Sequence, residues 1–561
     1  MIRPRSEGIS DGAMLALIGV AAGVVLALWL WGGVAGAVFG AGWPRVSAGQ
    51  LLEVLIRLPG HMARPAGAWP ATARGRLPGP VGFYGAFVLL CTVVAAVSGT
   101  AVRTGLWAAM RSHGDGARWA GGGELRALRG TAGAGRLTLG RYRGRLLHAE
   151  ARHALVAFGP PQSGKSAGLA VPALLEWDGP AVASSIKTDL LGATLARRQA
   201  LGRVFVFDPF GLGGTEVQTW SPLRGARTWD GALEVAWRLA AAGELDQRGV
   251  EGGDFWAVAA EQRLAPLLFI AAATGATMDD VVRWTYGQGS RELYESVSRL
   301  TGSARDEEEL EGANAAYDAL RAFEAQADRT RSSIEATAQG LLRGYRFARV
   351  LRSARSCEIE PDRLLDERAT LYLIGDAKAS KLLRPIFLAL LSEIVDRAYE
   401  RATLAGGRLE LPLLLCLDEA GNVAPLPNLA EIASTAPSHN IQLVSIFHDL
   451  AQARSRYGRQ AETVVNSHRA RMLLPGVADL ETLRYFAGLL GDEEARETTR
   501  TTGPGGGTRT SGRRRRPLVA PEALRQLREG HALLLYGRVP PAVLRLRMWF
   551  SDRRLRKLAA P

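Results

Sequence analysis

Two long stretches carry no charged residue, Gly12 to Pro44 and Leu77 to Val102. Each exceeds the roughly 20 apolar residues that a helix needs to cross a bilayer. Their glycines and prolines are tolerated in membrane helices. The pattern predicts two spans, about 13–39 and 81–102, forming an anchor over 1–110. Beyond Met110 the chain turns polar and glycine-rich. Residues 111–150 read as a linker or adapter, and RLTLGRYRGRLLHAEARHALVAF as short strands. From there, short apolar runs alternate with helical stretches: ALVAF, PAVASSI, RVFVFDPFG, ATLYLIGD, LPLLLCLDEAG, NIQLVSIFHD, RARMLLPG and HALLLYG. Unbroken apolar runs of this length suit strands buried on both faces, so the class is α/β with a mostly parallel sheet. Between about Trp220 and Tyr345 the periodicity is helical, which predicts an inserted all-helical domain over 226–345. The sheet then occupies 151–225 and 346–561. Thr498 to Pro517, TTRTTGPGGGTRTSGRRRRP, offers nothing to bury and is expected to be a flexible basic loop.

The chain has 561 residues and a formal net charge of +14, which is compatible with nucleic acid or anionic lipid as a partner. Cys91, Cys357 and Cys416 form no pair motif, and the eight histidines show no zinc spacing. A disulfide scaffold and a structural zinc site are therefore not indicated.

The chemistry begins at Val156–Gly168, VAFGPPQSGKSAG. Gly159, Gly164, Lys165 and Ser166 fit G-x-x-x-x-G-K-[ST], between an apolar strand and a helix. The turn Gly159, Pro160, Pro161, Gln162, Ser163, Gly164, Lys165 and Ser166 is the expected nucleotide cradle. Its backbone N–H groups wrap phosphates, Lys165 reaches the β- and γ-phosphates, and the Ser166 hydroxyl holds Mg²⁺. ATP and Mg²⁺ are the expected cofactors. An acidic partner stands at the end of LPLLLCLDEAG, where Asp418 would hold Mg²⁺ and Glu419 would polarise the attacking water. Arginines lie on both sides of the second span, so charge does not fix orientation. The nucleotide site does, since it must face the cytoplasm. That gives a multi-pass plasma-membrane protein with its ATPase part in the cytoplasm.

Taken together, GPPQSGKS, SSIKTDLL, VFDPFG, WSPL, DRTRSSIEATA, LLRPIFLALLSEIVDRAYERA, LCLDEAGNVAPLPNLAEIASTA, LVSIFHDLAQARSRYG and LLPGVADLETLRYFAGLLGD resemble the TraG-like coupling-protein ATPases of type IV secretion and conjugation. The form is most like that of high-GC Gram-positive bacteria. The resemblance implies a RecA-like nucleotide domain with an all-alpha domain, assembled as a hexamer at the membrane. It also implies delivery of DNA with its relaxase, or of effector proteins, to a secretion channel. A chromosome-segregation type translocase is the other alternative. By position on a strand, Arg469 or Arg471 would act across a subunit boundary, and Arg471 is taken as the catalytic candidate. The sequence departs from the family's pattern at His448, where many members carry a glutamine that senses the γ-phosphate. It departs again at SSIKTD, where Asp189 stands after the lysine.

Overall fold

The computed structural model describes residues 11–104, 116–130, 135–247, 253–423, 425–503 and 506–560. Parts of the expected linker, residues 111–115 and 131–134, lie outside them. The chain divides into two compact units, 1–114 and 115–561.

In the first unit, helices Asp11–Phe39 and Pro80–Thr104 cover most of the two uncharged stretches. Ala22–Phe39 is long and apolar enough to cross a membrane, whereas Pro80–Ala96 is a shorter apolar run among the described residues. The two helices meet through Trp31, whose ring lies 4.5 Å from Phe83 and whose Nε1 donates to the Phe83 carbonyl at 2.8 Å. Trp69, from the connecting segment, completes this core at 5.2 Å from Phe83. Gly32 leaves the space that the Trp69 ring fills.

The second unit contains the strands β1 (Thr138–Tyr142), β2 (Arg145–His148), β3 (Leu155–Phe158), β4 (Ala181–Ser185), β5 (Val204–Phe207), β6 (Thr370–Ile374), β7 (Leu413–Leu417), β8 (Ile441–Phe447), β9 (Ala470–Leu473), β10 (Asp492–Gly503), β11 (Gly506–Pro517), β12 (His531–Tyr536) and β13 (Val539–Arg545). Eleven of them form one sheet in the order β2-β1-β13-β12-β9-β3-β8-β7-β4-β6-β5. From β9 to β5 the pairing is parallel, and from β9 outward to β2 it is antiparallel. Strands β3, β4, β6, β7 and β8 are buried at every position, which is why their sequences lack alternation. Phe158 pairs with Phe447, and Leu417 with Ser445. The carboxyl ends of β3, β8 and β7 are therefore aligned, and Gly159, His448 and Asp418 follow them at one edge of the sheet.

Between β5 and β6 the described residues include helices Trp229–Gln247, Gly253–Thr274, Met278–Thr285, Ser290–Ser303, Glu307–Glu324 and Asp328–Leu342. This helical insertion does not stand apart from the sheet. Leu239, Leu264 and Leu268 share one continuous apolar core with Phe207, Phe387 and Leu415. Phe255–Thr274 is also long and apolar enough to cross a membrane, but most of it is buried inside the protein. It is the central core helix of the insertion.

One expectation is corrected. The segment expected to be a flexible loop, 498–517, lies within an antiparallel two-stranded ribbon in which β10 and β11 pair from Asp492↔Pro517 to Gly503↔Gly506. Its backbone groups satisfy one another without an apolar face. Arg516 pairs with Glu493 at 2.7 Å and Arg513 with Glu494 at 3.4 Å across the ribbon.

Candidate nucleotide site

The turn after β3 is built from residues that tolerate its backbone. Gly164 has φ +88°, and a Cβ there would lie 2.5 Å from Met548 Cε. At Gly159 a Cβ would collide with Ser163 Oγ. Gln162, at the exposed tip, takes φ +67°. The chain then enters a wide helical turn, Ser166–Ala170, which continues as the helix Val171–Glu176. Pro172 in that first turn has no N–H to close the ordinary ladder, so the turn stays open. Pro160 and Pro161 border a groove of about 330 Å³ together with His448, Gln452 and Asp479.

Three elements bring their ends to Lys165. Its Nζ donates to the Gly159 carbonyl at 3.0 Å, lies 2.8 Å from His448 Nδ1, and pairs with Glu419 Oε1 at 3.2 Å. His448 Nε2 lies 2.8 Å from Glu419 Oε2. A neutral ring with its proton on Nε2 satisfies both contacts, accepting from the ammonium and donating to the carboxylate. Glu419 is held in the left-handed region at φ +63°, a conformation costly for a residue with a Cβ. Asn422 steadies the bend, with Nδ2 donating to Glu419 Oε2 at 3.0 Å and its backbone N–H to the Glu419 carbonyl at 2.9 Å. Gln452 accepts from the His448 backbone N–H at 2.8 Å.

Ser166 Oγ donates to Asp418 Oδ2 at 2.5 Å. Asp418 Oδ1 and Ser163 Oγ are buried without a hydrogen-bond partner. Such orphaned oxygens beside a hydroxyl and a carboxylate suit a hard cation and the phosphate it carries. The described residues hold no group of three or more His, Cys, Asp or Glu that would bind a metal unaided. A cation here would take its remaining ligands from phosphate and water. Burial raises the Asp418 carboxyl to about 6, helped by Glu419 and Asp189 and opposed by Ser166 and Lys165. Burial acts in the same direction on Glu419, but hydrogen bonding from His448 and the charge of Lys165 outweigh it, so that carboxyl sits below its usual range.

The structure thus brings Gly159, Lys165, Ser166, Asp418, Glu419 and His448 together. Arg471 is elsewhere: its guanidinium donates to the carbonyls of Val465 at 3.1 Å and Asn466 at 3.0 Å. Arg469 lies beside Gly537. Asp189 opens the helix Asp189–Leu201, and its Oδ1 accepts from the Leu190 N–H at 2.9 Å. Sequence reasoning missed Asn422 and Gln452. Their signal was spacing, since each follows a candidate residue by three or four positions at a turn.

Residues 119–560 match the family described as Type IV secretory system Conjugative DNA transfer. The chain is 25% identical to the conjugal transfer protein TraG of Escherichia coli over 409 residues, 67% of this chain and 62% of that protein. It is 22% identical to protein VirD4 of Rhizobium rhizogenes over 505 residues, 85% of this chain and 71% of that one. The chain thus spans only 62% of the length of that TraG relative. Among solved structures, it is similar to the plasmid coupling protein TrwB in complex with ADP and Mg²⁺. That likeness has a TM-score of 0.56 at 18% identity, covering 77% of this chain and 93% of the other. It shows the fold, a RecA-like mixed α/β sheet with helical insertions.

Proposed function

The chain belongs to the type IV secretory conjugative DNA transfer family, and from that premise we propose that it is a membrane-anchored, ATP-hydrolysing coupling protein that delivers DNA with its relaxase to a type IV secretion channel. The observation that carries the reading is the convergence of Lys165, Ser166, Asp418 and Glu419 at the aligned ends of β3, β8 and β7. The structure of TrwB with ADP and Mg²⁺ supports the same choice of cofactor here.

In this site the backbone N–H groups of Gly164, Lys165 and Ser166 would wrap the phosphates, and Lys165 would turn from Glu419 and His448 toward the β,γ-bridge. Ser166 and Asp418 would hold Mg²⁺, which supplies charge neutralisation on the phosphate oxygens. Glu419, ionised and freed from Lys165, is the group to orient and polarise the attacking water. His448 stays within hydrogen-bond reach of Glu419 and occupies the place for sensing the γ-phosphate.

Helices Asp11–Phe39 and Pro80–Thr104 support a two-span anchor, with the nucleotide site on the cytoplasmic side of the plasma membrane. The family supports a hexamer in which an arginine such as Arg471 completes a neighbour's site. The basic balance of +14 supports contact with the DNA backbone. The test is ATP turnover of the full chain against protein concentration, with and without DNA, at two salt levels. Turnover should rise more than linearly with protein, increase with DNA, and lose that increase at high salt. Linear turnover indifferent to DNA at both salts would contradict the DNA-coupled assembly.

A further inference from the structure

A second concave site lies where β1 and β2 meet the C-terminal helix Arg553–Ala559. The groove encloses about 590 Å³ and is lined by Arg129, Arg141, Arg145 and Arg554, with the buried His148 at its wall. That volume falls within the range of small-molecule sites and exceeds the needs of a bare phosphate. Among the described residues no Asp or Glu lines it. The acid beside it, Asp552, is engaged by Arg547 at 3.0 Å and reaches Arg141 only at 3.4 Å.

Two of the arginines are partly satisfied by the protein. Arg129 donates to the Gly122 carbonyl, and Arg141 to the Gly144 carbonyl at 3.2 Å. The guanidinium groups of Arg145 and Arg554 are exposed and make no ion pair or side-chain hydrogen bond among the described residues. His148 is 4% exposed and its Nδ1 has no hydrogen-bond partner. Burial lowers the affinity of that ring for a second proton, and its one N–H is directed to the Gly130 carbonyl, so Nδ1 faces the groove wall as an acceptor. Four guanidinium groups converge on one space, and of them only Arg141 meets a counter-charge among the described residues, at Asp552. Arg553, Arg556 and Lys557 on the same helix are exposed and extend the positive field. The guanidinium fork matches the spacing of two oxygens on one phosphorus, which a carboxylate-free groove leaves unmet.

We propose that this groove is a second anion site, separate from the nucleotide turn, which takes a phosphate group of net negative charge, free or carried by an anionic headgroup. Arg145 and Arg554 grip the phosphate oxygens, with Arg129 and Arg141 adding positive charge beside them.

The test uses the full chain in neutral detergent without nucleotide, with K165A measured beside the parent so that binding at the nucleotide turn is counted apart. Native mass spectrometry counts what stays bound. The probes are inorganic pyrophosphate, dihexanoyl phosphatidylglycerol, dihexanoyl phosphatidylcholine and a short oligothymidylate. Pyrophosphate or phosphatidylglycerol should bind the parent and bind R145A/R554A about tenfold more weakly. R145K/R554K, which keeps the charge but loses the fork, should fall between. ATP turnover of both variants should stay within about twofold of the parent, since the altered side chains are exposed and remote from Lys165. Binding of the lipid alone identifies a headgroup, and binding of pyrophosphate alone a free phosphate; either supports the site. Equal binding by parent and R145A/R554A, or equal retention of phosphatidylcholine, overturns it. Loss confined to the oligonucleotide also overturns it, in favour of nucleic acid.

Discussion

Replacing Asp418 with asparagine is expected to stabilise the nucleotide-free protein while abolishing its response to Mg²⁺ and ATP. Asp418 is 2% exposed and one of its oxygens lacks a partner. Burial lifts its carboxyl from 3.8 to about 6. The folded chain therefore holds this proton more tightly than the unfolded chain does. The stability it contributes is fully present below pH 3.8 and is lost as pH rises through about 6. A gap of roughly two pH units corresponds to about 3 kcal/mol once the folded protein must carry the buried charge at pH 7.5. Asparagine is neutral and nearly the same size, and its carbonyl still accepts from Ser166. D418N should thus melt above the parent at pH 7.5, in fluorimetric melts of the detergent-solubilised chain without nucleotide. The difference should shrink as pH is lowered through 6 and close near pH 4. Adding ATP with Mg²⁺ should raise the melting point of the parent and not of D418N. A variant that melts lower at pH 7.5, or a difference that ignores pH, would refute the assignment of a strained, ligand-seeking carboxylate.

Lys165→Ala should lower turnover at least about 100-fold in a phosphate-release assay, because the β,γ-phosphates lose their cation, while the circular dichroism spectrum stays that of the parent. Glu419→Gln should keep nucleotide affinity within about threefold, measured by fluorescent-nucleotide titration, yet slow hydrolysis about 100-fold or more, because an amide cannot act as a base. Arg198→Met should cost about 3 kcal/mol, read as a lower melting temperature. The fully buried guanidinium donates to Thr370 Oγ1 at 2.6 Å, to the Gly179 carbonyl at 2.6 Å and to the Trp177 carbonyl, and methionine leaves these acceptors unmet.

The central strands were legible because each is buried along its whole length, and burial on both faces writes an unbroken apolar run. Positions that end such runs, Asp418 after β7 and His448 after β8, were legible for the same reason. Their meeting with Lys165 was not. His448 lies 283 residues from Lys165 in the chain, and only the insertion of β8 between β3 and β7 brings them to 2.8 Å. The ribbon β10–β11 escaped because composition reports what a segment has to bury, and this one is held by its own ladder and cross-strand ion pairs. The antiparallel flank β12–β13 escaped in part. HALLLY reads as a strand, but VPPAVLR carries two prolines after its first residue, and its register against β12 shifts between Leu534 and Tyr536. Helical periodicity revealed the insertion but not that Leu264 and Leu268 share their core with the sheet.

The most direct measurement of the central claim is plasmid transfer from a donor strain whose only copy of this protein is either the parent chain or E419Q, at matched membrane abundance. If ATP hydrolysis at Glu419 drives delivery of DNA to the channel, the parent restores transfer and E419Q leaves transconjugants at the level of the empty donor. Transfer by E419Q at the level of the parent would contradict the account.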